Sequence, residues 1–228
     1  MKKFFTLAIC AMAVLFASCE KNEPSLDKDN PLGGGENDHE YVDLGLSVKW
    51  ATCNVGASKP EEYGDYFAWG ETQPKSNYDW STYKWCRGSY DTQTKYCTDS
   101  YYGTVDNKTT LDLSDDAARA NWGGSWRMPT DAELTELREN CTWTWTTQSG
   151  VNGYKVTSDK NGKSIFLPAA GFRRDSSLDS AGSTCYYWSS SLHSDYPFVA
   201  WSVQFYSYSV RRYTYNRFYG FSVRPVCP

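Results

Sequence analysis

Alternation of apolar and polar residues is clearest near the end of the chain. From Trp201 to Tyr206 the run WSVQFY sets Trp201, Val203 and Phe205 on one side of an extended strand and Ser202, Gln204 and Tyr206 on the other. The first set is predicted to face a core and the second to face outward. Upstream, Tyr154, Val156 and Ser158 alternate in the same way. Asp159-Lys160-Asn161-Gly162 supplies a turn and Ser164 to Leu167 returns, which predicts a hairpin across 150–171 with Pro168 ending its second strand. Tyr41 to Trp50 predicts an opening strand pair around a tight turn, and Tyr66 to Glu71 a further short apolar run. Tyr186 to Ser191 begins the final sheet.

Two segments carry helix signals instead. Ser114 is predicted to cap a helix over Asp115 to Asn121, with Asp115 and Asp116 favourable in its first turn. Asp112, Asp115 and Asp116 also cluster as calcium ligands would, but capping accounts for them without an ion, and an ion would want more oxygens. Thr130 opens the second helix. Glu133, three residues on, completes a capping box, and Leu134, Leu137 and Cys141 mark the buried face. Between 77 and 110 no period emerges, and the many Tyr, Asp and Thr residues describe a long loop region that carries function or needs a staple. Strands, two short helices, then strands predict an α+β domain with a mainly antiparallel sheet.

The first forty residues lie outside that pattern. Lys2 and Lys3 precede an apolar run from Phe4 to Ala17 that is too short to span a bilayer, which reads as a secretory signal over 1–18. Phe16-Ala17-Ser18-Cys19 has the form of a bacterial lipobox, so Cys19 is expected to become the lipid-bearing N-terminus. Residues 19–40 are polar, include Pro24, Pro31 and Gly33-Gly34-Gly35, and are expected to form a flexible tether. Glu20 and Glu23 soon after the anchor fit an outer-membrane, surface-facing lipoprotein. Residues 41–228 then suffice for one domain with its own core.

Composition changes the picture most over 185–228. That stretch is crowded with Tyr, Ser, Phe and Arg and holds no Lys, Glu or Met. Folding requires a buried face but not a tyrosine-rich second one, and Tyr, Ser and Arg on a rigid sheet supply amphipathic area at low entropic cost. Outward Tyr also has good strand propensity, so an ordinary aromatic sheet is the competing reading. The contact candidates are Tyr206, Tyr208, Arg212, Tyr213 and Tyr215, with Asp195, Tyr196, Ser202 and Asn216 nearby. A net charge of −4 gives no basic footprint for nucleic acid. Arg211, Arg212, Arg217 and Arg224 make the end of the chain locally basic, and they read as ligand contacts or hairpin surface.

Of eight cysteines, Cys10 lies in the signal and Cys19 is the proposed anchor, leaving six. An even number outside the cytoplasm permits disulfides. Cys86 with Cys97 would close a local loop, and Cys185 with Cys227 would clamp the ends of the C-terminal stretch; the spacing leaves the pairing open. None forms a CxxC pair, which argues against zinc or thioredoxin-like chemistry.

The run Gly123-Gly124-Ser125-Trp126-Arg127-Met128-Pro129-Thr130-Asp131-Ala132-Glu133-Leu134 resembles a known family, as do Tyr41–Gly56, Phe67–Thr72, Ile165–Phe172, Tyr187–Ser191 and Gly220–Val226. Together they are similar to the Fibrobacter succinogenes major paralogous domain family, common in lipoproteins of gut Bacteroidetes. The resemblance spans most of 41–226 and implies a C-type-lectin-like fold related to the formylglycine-generating-enzyme type. The C-terminal stretch also resembles the variable region of proteins diversified by retroelements. Adenine mutagenesis of AAC codons yields Tyr, Ser, Asn, Asp, His, Phe, Thr, Arg and Val but never Lys, Glu, Gln, Met or Trp. Between 193 and 219 nearly every residue off the inferred inward face belongs to that set, and Gln204 departs from it.

Catalysis has little support in the residues. The related enzyme branch needs reactive cysteines in an arrangement that these positions do not match. His39 and His193 are the two histidines, too few for a His-based nucleophile relay or metal centre. A carboxylate pair for sugar hydrolysis stays open, because separation in space is unreadable in a sequence. Calcium-dependent lectins of the implied fold use acid-Pro-Asn or Gln-Pro-Asp motifs and a Trp-Asn-Asp run. Here Lys75 follows Gln73-Pro74, and Ser202-Val203 follow Trp201. The expectation is therefore a non-enzymatic, cofactor-free lipoprotein that binds an external protein or glycan. The alternatives are a tip or accessory subunit of a surface assembly, which an exposed β-edge would support, and an unrecognised enzyme, which a deep pocket with convergent acids would support.

Overall fold

The computed structural model describes residues 35–228; the expected signal and the lipidation residue Cys19 lie outside them. Twelve strands and two short helices make up the described chain, all strand pairs being antiparallel. The class is α+β with mainly antiparallel sheets, as the order of elements predicts.

The first sheet joins the two ends of the described chain. Strands β1 (Gly35–Glu36), β2 (His39–Val42), β3 (Lys49–Ala51) and β12 (Val226–Cys227) lie side by side in that order. Val42 and Val226 both pair with Trp50. Residues 35–40, read from sequence as the end of the tether, are thus part of the fold. Their polar composition hides this, because what holds them is distant in sequence: the His39 imidazole lies 3.7 Å from the Trp122 ring centroid, 4° from parallel, Asn37 donates to Trp122 O, and Thr52 N donates to Glu40 O at 3.0 Å.

Helix α1 (Ala117–Trp122) begins later than expected. Leu113–Asp115 is a 3-10 turn, and Asp116, not Ser114, caps α1 by accepting from Arg119 N at 3.0 Å. Asp116 is buried and its second oxygen accepts from Met128 N at 2.8 Å, so this carboxylate fixes two segments at once. Helix α2 (Asp131–Glu139) has the predicted Thr130–Glu133 capping box, and Leu134 and Leu137 are buried. Cys141 is buried too, but as the first residue of β4 (Cys141–Gln148). β4 pairs with β5 (Val151–Ser158), which pairs with β6 (Ser164–Pro168), confirming the expected hairpin and its inward set of Tyr154, Val156 and Ser158. β7 (Phe172–Arg174) and β8 (Ser177–Asp179) form a small hairpin between β6 and the last sheet.

The remaining sheet has the order β11-β10-β9: β9 (Thr184–Leu192), β10 (Val199–Tyr206) and β11 (Ser209–Asn216). β9 and most of β10 are buried on both sides, while β11 is only partly covered. Cys185, Tyr187, Val203 and Phe205 belong to one core with Trp50, Leu134, Leu137 and Val156. Tyr186, Trp188 and Ala200 belong to the other with Trp69, Trp126, Met128 and Phe221. This overturns the one-sided reading of β10. Ser202 and Gln204, expected outward, are 1% and 5% exposed, and Trp201, expected inward, is only half-buried. Period-two alternation correctly separates the faces, but it marks a face as outward only when nothing covers it. Here Phe172, Tyr219 and Phe221 pack over the second face.

The long segment 77–110 has no strand or helix, yet it is well anchored. Tyr78, Tyr83 and Tyr96 are buried, and their hydroxyls donate to Tyr66 O, Trp69 O and Asp115 at 2.7, 2.7 and 2.6 Å. The staple is therefore phenolic. No disulfide joins Cys86 to Cys97 or Cys185 to Cys227, and Cys53 and Cys141 are likewise unbridged, which corrects both expected disulfides. Cys86 and Cys97 donate to separate carbonyls, those of Trp80 and Asp99. Cys185 and Cys227 lie in different cores. Among the described residues no helix is long and apolar enough to cross a membrane.

Candidate functional site

The register of β10 with β11 sorts the expected contact residues. Ala200, Ser202, Gln204 and Tyr206 sit opposite Tyr215, Tyr213, Arg211 and Ser209. Directly opposed residues share a face, so Ser202, Tyr206, Tyr213 and Tyr215 lie together on the face that bears Tyr186. Arg212 and Asn216 lie on the other face with Trp201. Asp195 and Tyr196 belong to the β9–β10 connection, on the Trp201 side, where His193 lies 5.2 Å from the Tyr196 ring and 4.9 Å from Trp201. The nine positions thus form two groups rather than one.

Gln204 is the hub of the tyrosine face. Its amide donates to the Tyr186 hydroxyl at 2.9 Å and to the Tyr206 hydroxyl, while its carbonyl oxygen accepts from Tyr215 at 2.9 Å. A buried amide with three phenolic partners is satisfied without water. Burial pushes the Tyr215 phenol up to about 12, and Tyr186 still higher with the nearby Tyr215 adding to the effect, so both stay neutral at physiological pH. Ser202 is wholly internal and donates to Tyr213 O at 3.1 Å, which removes it as a contact.

Outside the hub the rings become accessible. Tyr213 packs against Tyr215 at 5.1 Å and is 55% exposed. Tyr208 stacks on Tyr206 at 5.7 Å, 12° from parallel, and is 80% exposed. A two-residue turn, Ser207-Tyr208, joins Tyr206 directly to Ser209, so no bulge intervenes. The irregularity lies instead between Ala200 and Ser202, against β9. Arg211, opposite Gln204, is exposed on the same face and has no ion pair among the described residues. The expected contact was Arg212, which lies on the opposite face. The signal that distinguishes them is parity: Arg211 and Tyr213 are two apart and share a face, whereas Arg212 does not.

The four C-terminal arginines divide three ways: Arg211 is exposed, Arg212 is ion-paired, and Arg217 and Arg224 are buried. Arg212 holds both oxygens of Asp131 at 2.7 Å and so ties β11 to the start of α2. Arg217 and Arg224, expected at the surface, are 0% and 1% exposed. Arg217 donates to the Tyr83 hydroxyl and to the carbonyls of Tyr96, Pro197 and Lys95, at 2.7 to 3.1 Å. Arg224 donates to Asn54 Oδ1 and to the carbonyls of Ala51, Thr52 and Phe166. Each guanidinium fork is saturated by neutral acceptors from chain segments far apart in sequence, a task its planar set of five donors suits.

No group of three or more His, Cys, Asp or Glu among the described residues is placed to hold a metal. Asp112 and Asp115 are engaged instead by Lys95 at 2.6 and 2.5 Å, and Lys108 also pairs with Asp112. A cleft of about 370 Å³ is lined by His39, Glu40 and Cys53, but the Cys53 thiol donates to Ala57 O, and burial pushes its pKa up. Residues 144–226, which include the tyrosine face, match the model of a family described as a domain of unknown function (DUF8237). No curated protein and no solved structure matches the chain.

Proposed function

We propose that the protein is a binding lipoprotein, anchored through Cys19, that presents the tyrosine face of β10 and β11 to an external protein or glycan. The observation that carries the reading is the contrast within that face. Gln204 and its phenolic partners fix the inner rings, while Tyr208, Tyr213 and Arg211 project from the same rigid sheet with no internal task. A contact surface built this way loses little side-chain freedom on binding. The unpaired Arg211 adds a charge-assisted donor.

The finer fold reading, a C-type-lectin-like domain, is supported by two features. The two ends of the described chain meet in one sheet, β2-β3-β12, and a long irregular segment is pinned to the body by buried side chains. Retroelement diversification is the matching genetic reading. The exposed positions Tyr208, Arg211 and Tyr213 carry adenine-accessible residue types, and the fixed hub Gln204 does not. Sequencing the locus across a population tests it: scatter confined to adenine positions at the rim, sparing Gln204, Arg217 and Arg224, is expected, and uniform variation contradicts it. The anchor is tested separately. Cys19→Ala should release the protein from the membrane fraction, and unchanged fractionation overturns that part.

A further inference from the structure

A second exposed aromatic surface lies apart from the tyrosine face, on two loops rather than on strands. Tyr90, Tyr101 and Tyr102 come from segment 77–110, and Tyr196 and Phe198 from the β9–β10 connection. Their rings form a continuous chain. Tyr101 meets Tyr102 at 5.0 Å, Tyr102 meets Phe198 at 5.1 Å, Phe198 meets Tyr90 at 5.5 Å, and Phe198 meets Tyr196 at 6.1 Å. Tyr90, Tyr101 and Tyr196 are 41%, 68% and 52% exposed. Burial of a core does not need such a strip, and solvent-exposed rings in contact with one another mark interaction surfaces.

The two loops are braced as one body. The Arg217 fork donates to Tyr96 O and Lys95 O on one loop and to Pro197 O on the other. Thr98 Oγ1 donates to Ser194 O across the same seam. A guanidinium wholly removed from water and shared between the two loops fixes the strip before any partner arrives.

Charge selects the partner. Asp91 and Asp195 adjoin Tyr90 and Tyr196 in sequence and Asp99 lies two residues before Tyr101; all three are exposed and have no ion pair among the described residues. The Asp99 carboxylate accepts from the Tyr101 backbone N–H and the Asp195 carboxylate from Ser194, both local. Electron-rich ring faces bordered by unpaired carboxylates attract cations twice over, through the ring quadrupole and through the carboxylate. The molecule itself uses this chemistry at the far end of the His193 stack, where Arg212 covers Trp201. We infer that the strip formed by Tyr90, Tyr101, Tyr196 and Phe198 binds a basic peptide segment, taking its arginine or lysine side chains between ring faces and Asp91, Asp99 and Asp195.

The test uses a fluorescein-labelled peptide of alternating Arg and Gly, its citrulline counterpart, and cellohexaose as a neutral competitor, read by fluorescence anisotropy on the full chain. Saturable binding of the arginine peptide is expected, weakening with salt. Replacing Tyr101 and Tyr196 together by Ser should reduce affinity about tenfold or more, the equivalent of one or two lost cation–π contacts. Exchanging Asp91, Asp99 and Asp195 for Asn should do the same and flatten the salt dependence. All these positions are exposed, so circular dichroism should show an unchanged fold. Tyr208→Ser with Tyr213→Ser should leave this binding intact, which separates it from the tyrosine face. Equal affinity for the citrulline peptide, displacement by cellohexaose, or no saturable binding would each overturn the inference.

Discussion

The Arg212 guanidinium lies over the Trp201 ring, 3.2 Å from its centroid, while the same fork holds Asp131. Trp201 is thereby shielded from one side by a cation and from the other by His193, outside both cores. Its removal should cost about 1–2 kcal/mol, below the ~3–5 kcal/mol of an emptied core site. Trp188→Ala, by contrast, removes a wholly buried ring stacked 4.2 Å from Phe221 and should reach that higher range. Urea denaturation of the two variants checks the order, and equal losses would contradict it.

The Gln204 hub predicts an asymmetry within one strand. Gln204→Ala strands three phenolic hydroxyls and should destabilise by about 1–3 kcal/mol. Tyr208→Ala, at the most exposed tip of the same hairpin, should stay within about 0.5 kcal/mol. Thermal melts of both variants test this, and a silent Gln204→Ala would remove the hub from the account.

Arg217 should be irreplaceable even by lysine. Its fork serves a phenol and three carbonyls, and one ammonium cannot span them. Arg217→Lys and Arg217→Ala should both cost at least about 3 kcal/mol, since buried acceptors lose their donors in each. Limited proteolysis should then cut first within 77–110. Full rescue by lysine would show that charge alone matters there.

Stability should fall in acid through Glu133. Burial raises its pKa, but the Arg127 fork at 2.6 and 2.8 Å and the Thr130 N–H outweigh it and hold the carboxyl below its ordinary 4.5. A folded-state pKa below the unfolded one gives stability that is complete above the ordinary value and lost as pH falls toward the lower folded one. Asp116 runs the other way, because burial raises its pKa and its protonation favours the fold. Glu133→Gln should therefore flatten the acid limb measured by urea midpoints from about pH 6 to pH 3. An unchanged slope would contradict the assignment.

Local signals were legible where the partner is close in sequence. The Thr130–Glu133 box, the hairpin around Asp159–Gly162 and the split of β10 into two faces all follow from short-range pattern. What covers a face is not local. Ser202 and Gln204 are buried on a face whose Tyr186 and Tyr215 rings pack against Phe172, Tyr219 and Phe221 from outside the sheet, and nothing in WSVQFY announces this. The same holds for Arg217 and Arg224, whose acceptors lie up to 173 residues away. Surface and core arginines look alike until their partners are known. The tyrosines were recognised as a group, but the structure divides their duties between hub and rim.

The central claim is that Tyr208, Tyr213 and Arg211 serve contact and not folding. The direct measurement is binding of the intact protein to a panel of bacterial and host surface proteins and glycans, side by side with a variant carrying Tyr208→Ser, Tyr213→Ser and Arg211→Ser. The account predicts that the wild type binds at least one member, that the variant loses this by about tenfold or more, and that its melting temperature shifts by no more than about 4 °C. Undiminished binding by the variant, or no member bound by the wild type, would contradict it.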